Sequence, residues 1–117
     1  MQMAKTMKMR IQLDEEKIRR EGIYNYDKII KLLDETFEEL EIYREEDVDG
    51  ILAYSGTGNP RDFGRFGLMY NSLKRKAWFI DNALLWELHE PLDFYGIEED
   101  NIEDLLTAWK ETLKMEA

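Results

Sequence analysis

The chain of 117 residues carries 26 acidic and 16 basic side chains, a net charge of −10, and contains no cysteine. Its length is that of one domain, and the lack of cysteine excludes disulfides and thiolate metal sites. No apolar run exceeds four residues, whereas a membrane-spanning helix needs about 20. The first ten residues lack an apolar block. We therefore expect no signal peptide, no membrane partner and a cytoplasmic protein.

The first third of the chain predicts one strand and two helices. Met7–Leu13 alternates apolar and polar residues, which is the period of a half-buried strand. Asp14 is a helix N-cap and Gly22 a helix stop, so they bound a short helix. Asn25 caps a second helix. The apolar residues of this helix share one face at helical spacing: Tyr26, Ile29, Ile30, Leu33, Phe37 and Leu40.

The middle of the chain predicts a hairpin, a loop and a third helix. Residues 42–45 and 51–55 indicate two strands joined by a turn that ends in Asp49-Gly50. A loop follows, and Asn59 caps a helix with Pro60 at its first position. One face of this helix is apolar and the opposite face is basic. The apolar face holds Phe63, Phe66, Tyr70, Leu73 and Ala77, and the opposite one Arg61, Arg65, Ser72 and Lys76.

The last third predicts two further helices. Residues 77–88 are apolar on more than one side, which is typical of a helix that is buried all round or covered by a second copy. Pro91 closes this helix, and residues 92–96 form a loop. Asp100 and Glu103 have the spacing of a capping box. The final helix then has an apolar face of Ile102, Leu105, Leu106, Trp109 and Leu113.

These elements predict one α+β domain over residues 1–117. We expect a small antiparallel sheet of about three strands, with four to five helices packed on one face. The hydrophobic periodicity places the largest apolar side chains in a single core. The predicted core consists of Tyr26, Ile30, Leu33, Phe37, Trp78, Leu85, Trp86, Leu106 and Trp109.

No set of residues has the spacing of a catalytic, cofactor or metal site, so we predict none of these. Gly56-Thr57-Gly58 precedes a helix, as phosphate-binding loops do, but a third glycine and a loop lysine are missing. The simpler interpretation is a turn. His89, the single histidine, and Asn82 are expected to be structural. A pocket formed by the Gly56–Asn59 loop, Asn82 and His89, in a small ligand-binding domain or enzyme, is the alternative hypothesis.

A basic patch is the clearest candidate for partner binding. Residues 56–86 carry a net charge of +3, while the rest of the chain is acidic. Arg61, Arg65 and Lys76 are predicted to share one outward strip of the third helix. We expect an acidic protein partner or self-association, because the overall negative charge opposes a nucleic acid. The ten acidic residues after Trp86 also allow an acidic mimic of DNA that would occupy a nucleic-acid-binding protein.

Several short motifs are distributed over much of the chain. They are Met9-Arg10-Ile11 followed by Asp14-Glu15-Glu16-Lys17, then Phe66-Gly67-Leu68, Ser72-Leu73-Lys74-Arg75, and Trp78-Phe79 with Trp86 after it. In these motifs the chain resembles small uncharacterised proteins carried by Gram-positive conjugative elements and plasmids. That group has no assigned activity, so the resemblance transfers no functional residue. It implies an intracellular accessory protein of mobile DNA, and it does not imply an enzyme.

Overall fold

The computed structural model describes residues 6–45, 48–94 and 97–116, which form a five-stranded antiparallel sheet and five helices. The sheet order is β2-β3-β1-β4-β5, so the first strand of the chain lies at the centre. None of the described helices is long and apolar enough to cross a membrane. The elements in chain order are β1 (Lys8–Leu13), α1 (Glu15–Glu21), α2 (Tyr26–Glu39), β2 (Tyr43–Arg44), β3 (Leu52–Ser55), α3 (Asp62–Leu73), α4 (Ala77–Ile80), β4 (Ala83–Phe94), β5 (Ile97–Asp104) and α5 (Leu105–Glu116).

The α+β class is confirmed, and the local signals of the first half are found where the sequence predicts them. The Asp14 side chain accepts a hydrogen bond from the Lys17 N–H, and Gly22 ends α1 at a φ of 66°. Asn25 caps α2. In the β2–β3 connection, Asp49 and Gly50 both have positive φ, as a two-residue hairpin turn requires. Glu46 and Asp47, also expected in this connection, lie outside the described residues.

The prediction of a helix over residues 77–88 is wrong. Helix α4 ends at Ile80, and the chain continues as β4 from Ala83. The interpretations of 77–88 as a central helix or a helical dimer interface fail with it. Apolar residues on all sides of this segment fit a helix and a strand equally well. Pairing with β1 selects the strand, because it buries Trp86 beside Ile11 and completes the ladder at the centre of the sheet.

The loop over residues 92–96 and the helix start at Asp100 are also wrong. Residues 92–94 belong to β4 and Asp100 to β5, while Tyr95 and Gly96 lie outside the described residues. Helix α5 begins only at Leu105. Its cap is Asp104, whose carboxylate accepts hydrogen bonds from the Thr107 N–H at 3.0 Å and from the Thr107 hydroxyl at 2.7 Å. These bonds, led by the one from the N–H, lower the pKa of Asp104.

The core is centred on two aromatic contacts. Phe37 of α2 stacks on Tyr54 of β3 at 3.9 Å between ring centroids, and Trp86 of β4 meets the edge of Phe79 at 4.9 Å. The Trp86 indole N–H donates to the sulfur of Met9 at 3.3 Å. Of the predicted core, Leu33, Phe37, Trp86 and Leu106 are buried, Tyr26, Ile30 and Trp78 pack on the core while partly exposed, and Leu85 and Trp109 are half-buried.

The predicted sheet differs in detail from the observed one. The observed sheet has five strands where three were predicted, because residues 83–94 and 97–104 pair as two long antiparallel strands. The packing also differs, since the face of the sheet that carries Arg10 and Gln12 is not bare. Residues 48–51 of the β2–β3 connection lie over it, and the Gln12 amide donates to the Asp49 carbonyl at 3.5 Å. A half-open depression of about 260 Å³ remains there, lined by Lys8, Arg10, Glu45, Val48, Ile51, Ala53 and His89.

Candidate functional site

The Gly56–Asn59 loop already holds a carboxylate that belongs to the chain itself. Asp62, only 3% exposed, accepts hydrogen bonds from the N–H groups of Thr57 and Gly58 at 3.0 and 2.9 Å. The Thr57 hydroxyl donates to its second oxygen at 3.0 Å. A Cβ at Gly56 would lie 2.5 Å from an Asp62 oxygen, which explains the glycine. The backbone donors that a bound phosphate would need are therefore taken by Asp62.

The inward position of Asp62 also determines which side of the third helix is buried. The Asn59 side chain accepts from the Arg61 N–H at 2.9 Å, the bond of an N-cap with Pro60 at the first position, although the regular helix α3 begins only at Asp62. Because Asp62 turns inward, the buried side of α3 is rotated from the predicted one. The predicted inward residue Phe63 is 65% exposed. The buried residues of α3 are Asp62, Phe66, Met69 and Leu73.

Asn82 lies far from His89 and from the Gly56–Asn59 loop, with which it was predicted to form a pocket. The Asn82 carbonyl accepts from the Asp14 N–H at 2.7 Å, which places it beyond the end of β1. His89 pairs with Lys8 at the opposite end of β1, about 20 Å away at 3.3 Å per strand residue. The Asn82 side-chain N–H donates to the Trp78 carbonyl at 2.8 Å. Its buried Oδ1 has no hydrogen-bond partner among the described residues.

His89 belongs to a cluster of paired charges on the face of the sheet that carries Arg10. Its Nε2 lies 3.2 Å from a Glu87 oxygen, and the Arg10 guanidinium lies 3.7 Å from the same oxygen. Lys8 pairs with Glu45 at 3.1 Å. The hydrogen bond from the Ser55 hydroxyl has the largest effect and lowers the pKa of Glu45; burial opposes it, and Lys8 lowers the pKa further. The described positive groups of this depression thus already have carboxylate partners, which leaves little attraction for an anionic ligand.

The three predicted partner-binding residues do not form one strip. Arg65 is 19% exposed, and its Nη1 lies 3.4 Å from a Glu41 oxygen without making a hydrogen bond to any described residue. Lys76 lies beyond the end of α3, a helix about 18 Å long whose first residue follows Arg61. Arg61 and Lys76 are both exposed, at opposite ends of the helix. Partner binding by these residues stays a prediction.

The outward side of α3 has an unusual composition that the sequence analysis did not single out. Phe63 and Leu68 are 65% and 60% exposed. A Cβ built at Gly64 or Gly67 would meet nothing within 4 Å, so neither glycine is required by packing within the chain. We call these four residues the α3 face. The signal was visible in the sequence as two glycines inside a helix, but the assumption that Phe63 points inward concealed it.

Comparison with known proteins gives no relative from which a function could be transferred. No family model matches the chain, and no curated protein or solved structure matches it significantly. The resemblance to proteins of conjugative elements therefore stays a prediction. No group of three or more histidine, aspartate or glutamate side chains in the described ranges is arranged to hold a metal ion.

Proposed function

We propose that the protein is a non-enzymatic protein-interaction module, an accessory factor of a mobile genetic element, and that it pairs with a second copy through the α3 face. The observation that carries this proposal is the exposure of Phe63 and Leu68 on either side of two glycines, at each of which an added Cβ would meet no neighbouring atom within 4 Å. The mobile-element setting is inferred from the resemblance of the short motifs to proteins of conjugative elements.

The order of residues on the α3 face is self-complementary. A bulky apolar residue precedes one glycine, and a second bulky apolar residue follows the other, as Phe63-Gly64 and Gly67-Leu68. In an antiparallel pair related by a two-fold axis, Phe63 of each copy would lie opposite Leu68 of the other. Gly64 would lie opposite Gly67. Glycine lets two backbones approach closely, and a two-fold interface uses the same patch on both subunits.

Charge does not oppose this pairing. The exposed residues of α3 are uncharged, namely Phe63, Gly64, Gly67, Leu68 and Asn71. The central cation, Arg65, is turned away toward Glu41. Two copies of a strongly acidic protein repel each other over most of their surface. An uncharged helix side is therefore the favourable place for them to meet.

The alternative, a ligand-binding domain or enzyme with a pocket at the Gly56–Asn59 loop, has less support. Asp62 accepts from the Thr57 and Gly58 N–H groups of that loop, and Asn82 lies far from it. A non-enzymatic module is the proposal that fits these contacts better.

Sedimentation velocity over a wide concentration range tests the pairing. We expect a reversible dimer that Phe63→Ser and Leu68→Ser weaken at least about tenfold in dissociation constant, or about 1.4 kcal/mol. Leu84→Ser is the matched control, because Leu84 is 57% exposed but lies at the start of β4. A chain that is monomeric at about millimolar concentration, or a dimer that tolerates both α3 substitutions, contradicts the proposal.

A further inference from the structure

A second surface, separate from the α3 face, lies between α2 and the segment formed by α3 and α4. It consists of two adjoining depressions that share Leu32 and Trp78, and we call it the Trp78 groove. The first depression, about 160 Å³, is lined by Leu32, Leu33, Thr36, Met69, Ser72, Leu73, Lys76 and Trp78. The second, about 190 Å³, is lined by Tyr24, Asn25, Lys28, Ile29, Leu32 and Trp78.

Each depression has the size of one large apolar side chain. An apolar protein cavity of about 150 Å³ is enough to bind benzene, so each of the two has room for a leucine side chain or an aromatic ring. Because they share two wall residues, two anchors one helical turn apart, about 5–6 Å, would fill neighbouring depressions.

The walls of the groove are apolar and only partly covered. Leu32 is 47% exposed and Tyr24 37%, and Trp78 packs on the core with one part left accessible. Single exposed apolar residues are common on protein surfaces. Here three large ones surround a concave site, which is the arrangement expected where a partner side chain inserts.

The charged side chains of the groove indicate the charge of the partner that would bind there. The charged side chains among its described lining residues are Lys28 in one depression and Lys76 in the other, and no carboxylate is among them. Neither lysine forms an ion pair with a described residue. In a chain with 26 acidic residues, a lining of this composition is complementary to an occupant that carries carboxylates beside its apolar anchors.

The walls also specify the shape of the occupant. They are side chains of helices and of the turns that begin them, and none of the described lining residues belongs to a strand of the sheet. An extended peptide would gain no backbone hydrogen bonds there. A helix satisfies its own backbone and presents anchors at a spacing of three or four residues.

We propose that the Trp78 groove binds an amphipathic acidic helix of a partner protein, with two apolar side chains in the depressions and carboxylates beside Lys28 and Lys76. This binding extends the proposed interaction function to a second surface. It does not depend on pairing through the α3 face, because the two surfaces share no residue. It also gives Lys76, one of the three predicted partner-binding residues, a structural setting.

A selection from displayed random peptides of about 16 residues, about 24 Å long as helices, tests the proposal and does not require the natural partner. The wild-type chain is the bait, and the Leu32→Glu variant is used to remove peptides that bind elsewhere. We expect the enriched sequences to place leucine, phenylalanine or tryptophan three or four residues apart, next to aspartate or glutamate. Enrichment of basic peptides, or no enrichment over the variant, overturns the proposal.

The most enriched peptide is then synthesised, labelled and titrated by fluorescence anisotropy. Leu32→Glu, and separately Lys28→Glu combined with Lys76→Glu, should each weaken binding about tenfold or more. Lys31→Glu is the matched control: Lys31 lies on the same helix but outside the groove lining, and should change affinity less than about twofold. If Leu32→Glu does not fold, the exposed lysine pair still provides the test, and equal affinity of the pair variant and wild type rejects the groove.

Two further measurements distinguish peptide binding in the Trp78 groove from dimerisation through the α3 face. NMR signals of the residues lining the groove should shift on peptide binding, while those of Gly64 and Gly67 should not. Shifts confined to the α3 face would overturn the groove. A dimer that Leu32→Glu dissociates would mean that a second copy, and not an acidic helix, is the occupant.

Discussion

Helices α2 and α3 each bury one side in the core, but their solvent-facing sides have opposite compositions. On α2 most exposed residues are charged, and Lys31 lies 4.0 Å from Glu35 while Asp27 pairs with Arg19 at 3.2 Å. On α3 the exposed residues are uncharged. A charged outward side is the usual solution for a surface helix in water. The contrast indicates that the charged side of α2 faces water, whereas the outward side of α3 is suited to a protein contact.

The buried sides of α2 and α3 should contribute equally to stability. Truncation of a buried phenylalanine on either helix should have the largest effect of all the substitutions we consider. Phe37 of α2 is 0% exposed and Phe66 of α3 is 1% exposed. Truncation of either leaves a cavity, so Phe37→Ala and Phe66→Ala should each lower the free energy of unfolding by about 3–5 kcal/mol. Urea melts measure this. If only one variant loses less than about 1 kcal/mol in free energy of unfolding, the helix that carries that residue contributes little to the core, and the two helices are not equivalent.

The first residues of α2 and α3 are held by different contacts. We expect the larger loss of stability at the start of α3, where Asp62 is buried. Asp62→Ala removes the acceptor for three donors of the Gly56–Asn59 loop and should destabilise the fold by about 2–3 kcal/mol. Asp62→Asn retains one acceptor oxygen and should cost less. Equal stability of wild type and Asp62→Ala in thermal melts would show that water replaces the carboxylate at no cost.

Helix α2 begins at a local cap. The Asn25 side chain accepts from the Lys28 N–H at 3.0 Å, and Asn25→Ala should lower the free energy of unfolding by about 1 kcal/mol. Asn25→Asp, which keeps a good capping residue, is the control. If Asn25→Ala and Asn25→Asp have the same melting temperature, the cap does not contribute to stability.

The glycines of α3 test its outward side directly. Gly64→Ala and Gly67→Ala fill open space and remove the helix penalty of glycine, so each should stabilise the isolated chain by about 0.4–1 kcal/mol. The same substitutions should weaken the dimer, since a methyl group would separate the two backbones. Circular dichroism melts at low concentration and sedimentation at high concentration give the two results. If the alanine variants are more stable and dimerise as well as wild type, the two glycines are not part of the interface.

The smallest effect concerns the solvated side of α2. Lys31 and Glu35 are 78% and 58% exposed, and an exposed pair of this spacing is worth about 0.2–0.5 kcal/mol. A double-mutant cycle with alanine at both positions should find a coupling in this range that falls as salt is added. A coupling above about 1 kcal/mol would mean that α2 is not as freely solvated as we infer.

Sequence reasoning succeeded where the determinants are local. The Asn25 cap, the Gly22 stop and the Asp49-Gly50 turn depend on a few neighbouring residues, and all three are confirmed. It failed at Trp86, because only the tertiary pairing with β1 decides between strand and helix there. The rotation of α3 was missed although its determinant is local: Asp62 accepts hydrogen bonds from Thr57 and Gly58, four to five residues earlier, whereas helical spacing places Phe63 on the inner face with Phe66.

The position of β1 at the centre of the sheet has a consequence for biosynthesis. The Met9 sulfur accepts from Trp86 across 77 residues of sequence, and the strand partners of Met9, Tyr54 and Leu88, are also distant. A ribosome adds about 5–20 residues per second, so β1 emerges several seconds before either neighbouring strand. Such long-range pairing also slows folding. The sheet can therefore close only when β4 has left the ribosomal tunnel, and until then the nascent chain presents an apolar strand that a chaperone can bind.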